Sequence, residues 1–388
     1  MSRPEAAPGA GRRLRRPGRS GRVLVAVALA AGVVLAGLGT YDFVESEFGG
    51  TTLVILTYPS LFGGACGGPS AAAVFSAVFG AFASAHGIRI AVECPPGTAY
   101  SWLVNQSETP VADLVIGLDE ITAPQAEAAH LLVPYSPPSL ANVSPSLVAE
   151  LSPGHAATPY EYGFLGIDYN ETFYNATAGA VAHLTFPDLD NNSTWARSLL
   201  VEDPEADITG EEFLAWQVEY YTHVLHQDWT KFWTGAPSGA FPLSDSWGDA
   251  YGEFASGDFP MVVSYSADPA YAAYYGSSGS FNTTESWWNG TQYGWKTIYG
   301  LGIVNGSRHL ALDEEFENWF LSGTVQAEIP TNEWEYPANV TVPLPPVYAA
   351  AIPPGSIVAL NNDTTPAEVG ASVSGWVQTW ESVTSGGG

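Results

Sequence analysis

The chain has 388 residues, of which 46% are hydrophobic, 13% aromatic and only 13% charged, with a net charge of −28. That length and apolar content suffice for two α/β lobes rather than one compact domain. So few cations exclude nucleic acid and anionic lipid as partner surfaces, because neither phosphate array would find counterions to release.

Residues 1–40 hold seven arginines and one acid; beyond them only Arg89, Arg197, Lys231, Lys296 and Arg308 are basic. The arginines precede Val23–Gly39, an apolar run that reads as a secretory signal or a single membrane anchor with the remainder outside. Residues 41–50 form a spacer. Of 14 asparagines, 11 stand in Asn-x-Ser/Thr frames, from Asn105 to Asn362 and including Asn339, so a glycoprotein is expected. Cys66 and Cys94 are the only cysteines, and in an exported chain they suggest one disulfide.

Thr51–Tyr58 predicts a buried strand, continuous and β-branched, bounded by Pro59. A helix follows from about Ser70 to His86, with Gly87 at its end and Val74, Phe75, Val78, Phe79 and Phe82 on its apolar face. Ile88–Glu93 is the next strand, Tyr100–Gln106 a helix, and Ala112–Gly117 a third strand running into Leu118-Asp119. This β-α-β-α-β series predicts a parallel sheet with ligands beyond the strands' C-terminal ends, where Tyr58 and Asp119 lie.

Residues 120–158 read as loop-rich, given Pro124, Pro134, Pro137, Pro138 and Pro153. Tyr160–Tyr169 is extended, a crossover into a second lobe holding strand Leu199–Glu202 and helix Glu211–Leu225. Helix Ser246–Ala255 and strand Met261–Ser264 complete it. Gly276–Gly294 reads as a polar surface insertion. Strand Tyr299–Val304 returns the chain, and Asp313–Leu321 is an amphipathic helix. Thr365-Pro366-Ala367-Glu368 is a capping box for a last helix burying Val369, Val373, Trp376, Val377 and Trp380.

Gly-x-Ser-x-Gly, P-loop, His-Glu-x-x-His and Cys-x-x-Cys motifs are absent from the sequence. Aromatics beside turn residues carry more information: Thr57-Tyr58, Ser246-Trp247-Gly248, Tyr265 to Tyr271, and Asn332-Glu333-Trp334-Glu335-Tyr336-Pro337. Rings in such loops are not explained by helical core spacing. Converging with carboxylates, they suit a flat organic cation through stacking and cation–π attraction.

At these residues the chain resembles the thiamine-binding solute receptors of ABC importers. The resemblance rests on Thr57-Tyr58-x-Ser60, ADLVIGLD (Ala112–Asp119), PYEYGFLGIDYN (Pro159–Asn170), SWGDAYGEFASGDFPMVVSYSADPAY (Ser246–Tyr271) and IPTNEWEYPANVTVPLP (Ile329–Pro345). It implies an α/β, two-lobed type II periplasmic-binding fold with a ligand cleft between the lobes. The first lobe would hold 51–158 and 297–388, the second 159–296. It further implies a monomer that is not an enzyme and uses no cofactor. Such a receptor is extracytoplasmic, at the cell surface or in the periplasm, and hands thiamine to permease and ATPase subunits.

By matching motifs, ring contacts to thiamine fall on Tyr58, Trp247, Tyr265, Tyr271 and Trp334. Three departures stand out. A Trp-Gly-Pro-Gly run becomes Ala65-Cys66-Gly67-Gly68, an Asp-Gly pair becomes Pro96-Gly97, and Ser-Pro-Ala-Tyr becomes Asp268-Pro269-Ala270-Tyr271. Asp268, with Asp119, is expected to replace the lost carboxylate. The acids of Glu202–Asp207 would repel a phosphate ester, favouring free thiamine. The alternatives are a receptor for ferric iron (through Tyr274-Tyr275 or Tyr220-Tyr221) or for a polyamine, and a thiaminase-like enzyme with Cys66 or Cys94 as nucleophile.

Overall fold

A computed structural model describes residues 41–44 and 50–385, except 64–65, 67–70, 96, 175–177, 192–194, 196, 236–239, 277–280 and 363. The arginine-rich segment, the Val23–Gly39 run and Gly386–Gly388 lie outside the described residues. Among the described residues, no helix is long and apolar enough to cross a membrane.

Strand Thr52–Leu56 lies between Arg89–Glu93 and Leu114–Leu118 and runs parallel to both. That is the outcome expected when short β-branched strands alternate with amphipathic helices. The path of the sheet then continues through Lys296–Val304, Thr158–Asn170, Met261–Tyr265, Leu199–Glu202 and Leu243–Ser244. Helix Ala71–His86 covers one face, burying Phe75, Phe79 and Phe82 at helical spacing.

The 13-residue strand Thr158–Asn170 serves both halves of the sheet. Its beginning pairs antiparallel with Lys296–Leu301, and Leu165–Tyr169 pairs antiparallel with Met261–Tyr265. Two apolar clusters flank this crossing. One gathers Leu53, Ile55, Phe75, Phe79, Phe316 and Phe320; the other gathers Phe186, Phe213, Trp216, Tyr220, Phe232 and Trp295. The architecture is the expected α/β one.

Two expectations need correction. Residues 120–158 are not all loop: helices Thr122–Ala128 and Pro145–Leu151 form there. Their prolines sit in the first turn, where a helix has no N–H partner to lose. Gly276–Gly294 is not a plain surface insertion. Phe281–Thr284 adds to the sheet beside Ile167–Asn170, and Ser286–Trp288 pairs with Thr291–Gly294. Asn289 and Gly290 turn that hairpin with φ of 49° and 83°, the conformation Asn-Gly supplies most readily. Helix Pro366–Ser385 buries Val369, Val373 and Trp380 in the second cluster. The Gln125 side chain, donating to the Gly370 carbonyl at 2.9 Å, ties it back to the first half.

The capping box forms as read, with Thr365 N–H donating to Glu368 and Glu368 N–H to Thr365 Oγ1. Cys66 and Cys94 are joined by a disulfide. Neither is therefore a free thiol nucleophile, which removes the thiaminase alternative's chemistry.

Candidate functional site

A cavity of about 390 Å³ opens where the strand ends of both halves meet the crossing strand. Tyr58, Pro59 and Ser60 enter it just past Thr52–Leu56, and Gly97 to Ala99 follow Arg89–Glu93. The opposite wall comes from Ala206 to Thr209, Ser246 to Gly248, Tyr251, Tyr265, Asp268 and Tyr271. Glu161 lies on the crossing strand and Tyr299 on Lys296–Val304, and Glu333 to Glu335 close the end. The volume suits a small organic ligand.

Local sequence explains how the rings are held. Tyr58 lies flat against Gly117, where a Cβ would stand 2.3 Å from its ring; Gly117 has φ of 98°, so glycine is required twice over. Trp247 begins a helix whose N-cap, Ser246, accepts from Asp249 N–H. Its indole N–H donates to Ser264 Oγ at 3.1 Å. Tyr265 ends strand Met261–Tyr265, and its hydroxyl meets that of Tyr299 at 2.8 Å. Trp334 holds a left-handed backbone, φ 60°, at the end of helix Ile329–Asn332. Such a conformation is uncommon for a bulky residue.

These rings form a belt. Trp247 stacks on Tyr251 at 5.2 Å between centroids and meets Tyr265 edge-on at 6.1 Å. Tyr251 reaches Tyr271, and Tyr271 meets Trp334 edge-on at 5.3 Å. Tyr58 and Tyr299 lie 6.2 Å apart.

Five carboxylates border the same space: Glu161, Asp207, Asp268, Glu333 and Glu335. No lysine, arginine or histidine does so among the described residues. Burial pushes the Glu333 carboxyl up to about 7, against the lowering effect of donors Tyr58 and Phe62 N–H. Burial, then the neighbouring Glu333 and Glu335, raise Glu161 well above the usual carboxylate range. Burial also raises Glu335, with Asp268 and Glu333 adding to it. Desolvation without a counter-cation disfavours the charged form of each. A cation entering the cavity would reverse that preference.

Six of the seven residues singled out as ligand contacts border the cavity: Tyr58, Trp247, Tyr265, Asp268, Tyr271 and Trp334. Asp119 does not. It is fully buried, with Oδ1 accepting from Ile121 N–H, Thr122 N–H and the Thr122 hydroxyl. The strand-end rule located its backbone correctly, but the carboxylate turns into the following helix start. Of the acids in Glu202–Asp207, only Asp207 borders the cavity; Glu202 is buried at a strand end. Sequence reasoning missed Glu161, Tyr251, Tyr299, Glu333 and Glu335, which also border the cavity. Glu161, Glu333 and Glu335 stand inside the quoted motif blocks, and their signal was lost among many acids.

The tyrosine pairs of the iron alternative are placed elsewhere. Tyr220 and Tyr221 are core residues whose hydroxyls donate to the Trp287 carbonyl and to Asp190. Tyr274 and Tyr275 are exposed and pack on the Trp334 ring.

No protein-family model matches the sequence. The chain is 24% identical over 224 residues to the thiamine-binding periplasmic protein of Escherichia coli (strain K12), covering 58% of this chain and 62% of that one. Against the Salmonella typhimurium protein of the same name it is 23% identical over 273 residues, covering 70% and 76%. A solved periplasmic thiamin binding protein superposes with a TM-score of 0.72 at 20% identity, over 88% of this chain and 98% of that one. A fructose-6-phosphate-bound periplasmic binding protein from Actinobacillus pleuropneumoniae reaches 0.69 at 14% identity, over 87% and 99%. An iron-bound protein from Pseudomonas aeruginosa reaches 0.65 at 19%, over 86% and 99%. The fold is that of the two-lobed periplasmic binding proteins, whose members hold chemically different ligands.

Proposed function

We propose that the chain is an extracytoplasmic solute-binding protein that captures thiamine for an ABC importer. One observation carries the reading: an aromatic belt and five carboxylates enclose a ligand-sized cavity bordered by no basic side chain among the described residues. Flat rings stack on such a belt, and a ring cation gains from both the π faces and the acids. The thiamine-binding relatives agree with that chemistry. Ligand contacts are assigned to Tyr58, Trp247, Tyr265, Asp268, Tyr271 and Trp334.

The unphosphorylated vitamin fits best. Asp207 accepts from Thr209 N–H at 2.9 Å and from Trp247 N–H at 3.2 Å. These donors begin two helices, the positions where an external phosphate would otherwise be held. An internal carboxylate already occupies them, and a phosphate ester would meet its charge. Sugar phosphate ligands are disfavoured for the same reason.

Isothermal titration of the exported part with thiamine, its mono- and diphosphate, spermidine and ferric citrate tests this reading. Thiamine is expected to bind tightest, with both phosphates weaker. Equal or tighter binding of the monophosphate refutes the preference for the free vitamin. Tighter binding of spermidine or ferric citrate refutes thiamine as the ligand.

A further inference from the structure

The five acids bordering the cavity are not equally free to meet a ligand. Asp207 is held by the two backbone N–H groups just described. Asp268 Oδ2 accepts from Ser264 Oγ at 2.5 Å and from Tyr265 N–H at 3.2 Å. Glu333 accepts from the Tyr58 hydroxyl at 2.8 Å through Oε2 and from Phe62 N–H through Oε1. Glu335 differs: it is 4% exposed, and neither oxygen accepts a hydrogen bond of normal geometry. The Tyr336 N–H beside it is a weak partner at most. Glu161, 1% exposed, has Oε1 within 3.3 Å of the Tyr58 hydroxyl and leaves Oε2 without a partner.

Backbone geometry brings these two together. Tyr336-Pro337 pairs with Tyr162 and Glu161 on the crossing strand. Strand periodicity puts Glu161 and Gly163 on one face. The Glu335 carboxylate lies over Gly163, where a Cβ would stand 1.8 Å from Oε2. Glycine there makes room for the acid. Once an entering cation draws these carboxyls into their charged form, charge on oxygens so withdrawn from water is little screened and acts across the cavity.

We infer that Glu335 and Glu161 form the charge subsite of this cavity, selecting organic cations over uncharged molecules of the same shape. This rests on the solute-binding reading above but replaces Asp268 and Asp119 as the acids that compensate the ligand's charge. Asp268 and Glu333 instead hold wall and ring positions through their own donors.

The experiment is calorimetry of the exported part, wild type, Glu335→Gln and Glu161→Gln, against three probes. These are thiamine, its uncharged fused-ring oxidation product thiochrome, and spermidine. Glu335→Gln is expected to weaken thiamine on the order of thirtyfold or more while thiochrome changes less than about twofold. Glu161→Gln should act in the same direction. Thiochrome binding reports an intact cavity, and if Glu335→Gln does not fold, Glu161→Gln decides the question. Unchanged thiamine affinity, or equal losses for thiamine and thiochrome, overturns the subsite. If the wild type ignores thiamine but binds spermidine, and Glu335→Gln weakens spermidine, the thiamine reading falls and the subsite stands. If the wild type binds neither cation, both fall.

Discussion

The Tyr58 hydroxyl donates to the Glu333 carboxylate at 2.8 Å, linking positions 275 residues apart across the end of the cavity. The bond joins the segment just past strand Thr52–Leu56 to the turn that carries Trp334. Tyr58→Phe keeps the ring and removes the donor, leaving Glu333 short of a partner. Stability is expected to fall by about 1–3 kcal/mol in urea unfolding. An unchanged midpoint would show that the bond contributes nothing net.

Unliganded stability should decline as pH rises from about 4.5 through 7. The Glu333 carboxyl is raised to about 7 by burial, from an ordinary 4.5. Between those values the folded chain binds more protons than the unfolded one, so its stability decreases with pH. Glu211, raised to about 8 by burial, acts in the same direction. Cationic ligands should bind tighter across the same window and release protons. Titrations in buffers of different ionisation enthalpy measure that release.

Gly117→Ala combines a strained φ of 98° with a collision against the Tyr58 ring. The expected result is a loss of more than about 1 kcal/mol in stability. Displacing the ring should also weaken ligand binding by about tenfold, or about 1.4 kcal/mol. Thermal unfolding and calorimetry on one preparation would separate the two effects.

The Cys66–Cys94 disulfide closes a loop with a sequence separation of 28, and this loop begins beside the tyrosine that enters the cavity. Replacing both cysteines by serine should cost about 3–4 kcal/mol on the chain-entropy model. A urea midpoint indistinguishable from that of the oxidised wild type would contradict it.

Asn339 should remain bare even in a glycosylating host. It is 2% exposed, and its side-chain amide donates to the Leu321 carbonyl at 2.9 Å. Asn105, Asn142, Asn289, Asn305 and Asn362 are exposed, and only the Asn305 amide among these donates to a carbonyl, that of His130 at 2.9 Å. Peptide mass spectrometry finding glycan at Asn339 would mean modification precedes folding there.

The alternating strands and helices between residues 51 and 119 were legible because β-branched runs and helical apolar spacing reported burial directly. Helices Thr122–Ala128 and Pro145–Leu151 were not, since proline marks a helix start as readily as a break. For the site, rings in turns such as Trp247 and Trp334 were readable. An aromatic that core spacing does not explain needs another reason to be there. Asp119 misled because a strand end gives a backbone position and not the direction of a side chain. Glu335 could not be distinguished from its many acidic neighbours. Its special position comes from Gly163, a residue 172 places earlier, coming within reach of its carboxylate.

Strand Thr158–Asn170 pairs with Lys296–Val304 at one end and Met261–Tyr265 at the other. Each half of the molecule thus borrows its central backbone from a segment the other also uses. A gene fragment ending before Lys296 would encode a first half with no partner for Leu114–Leu118 on that side. Neither half is therefore a module that recombination could pass on alone, and inheritance must keep the two halves in one reading frame.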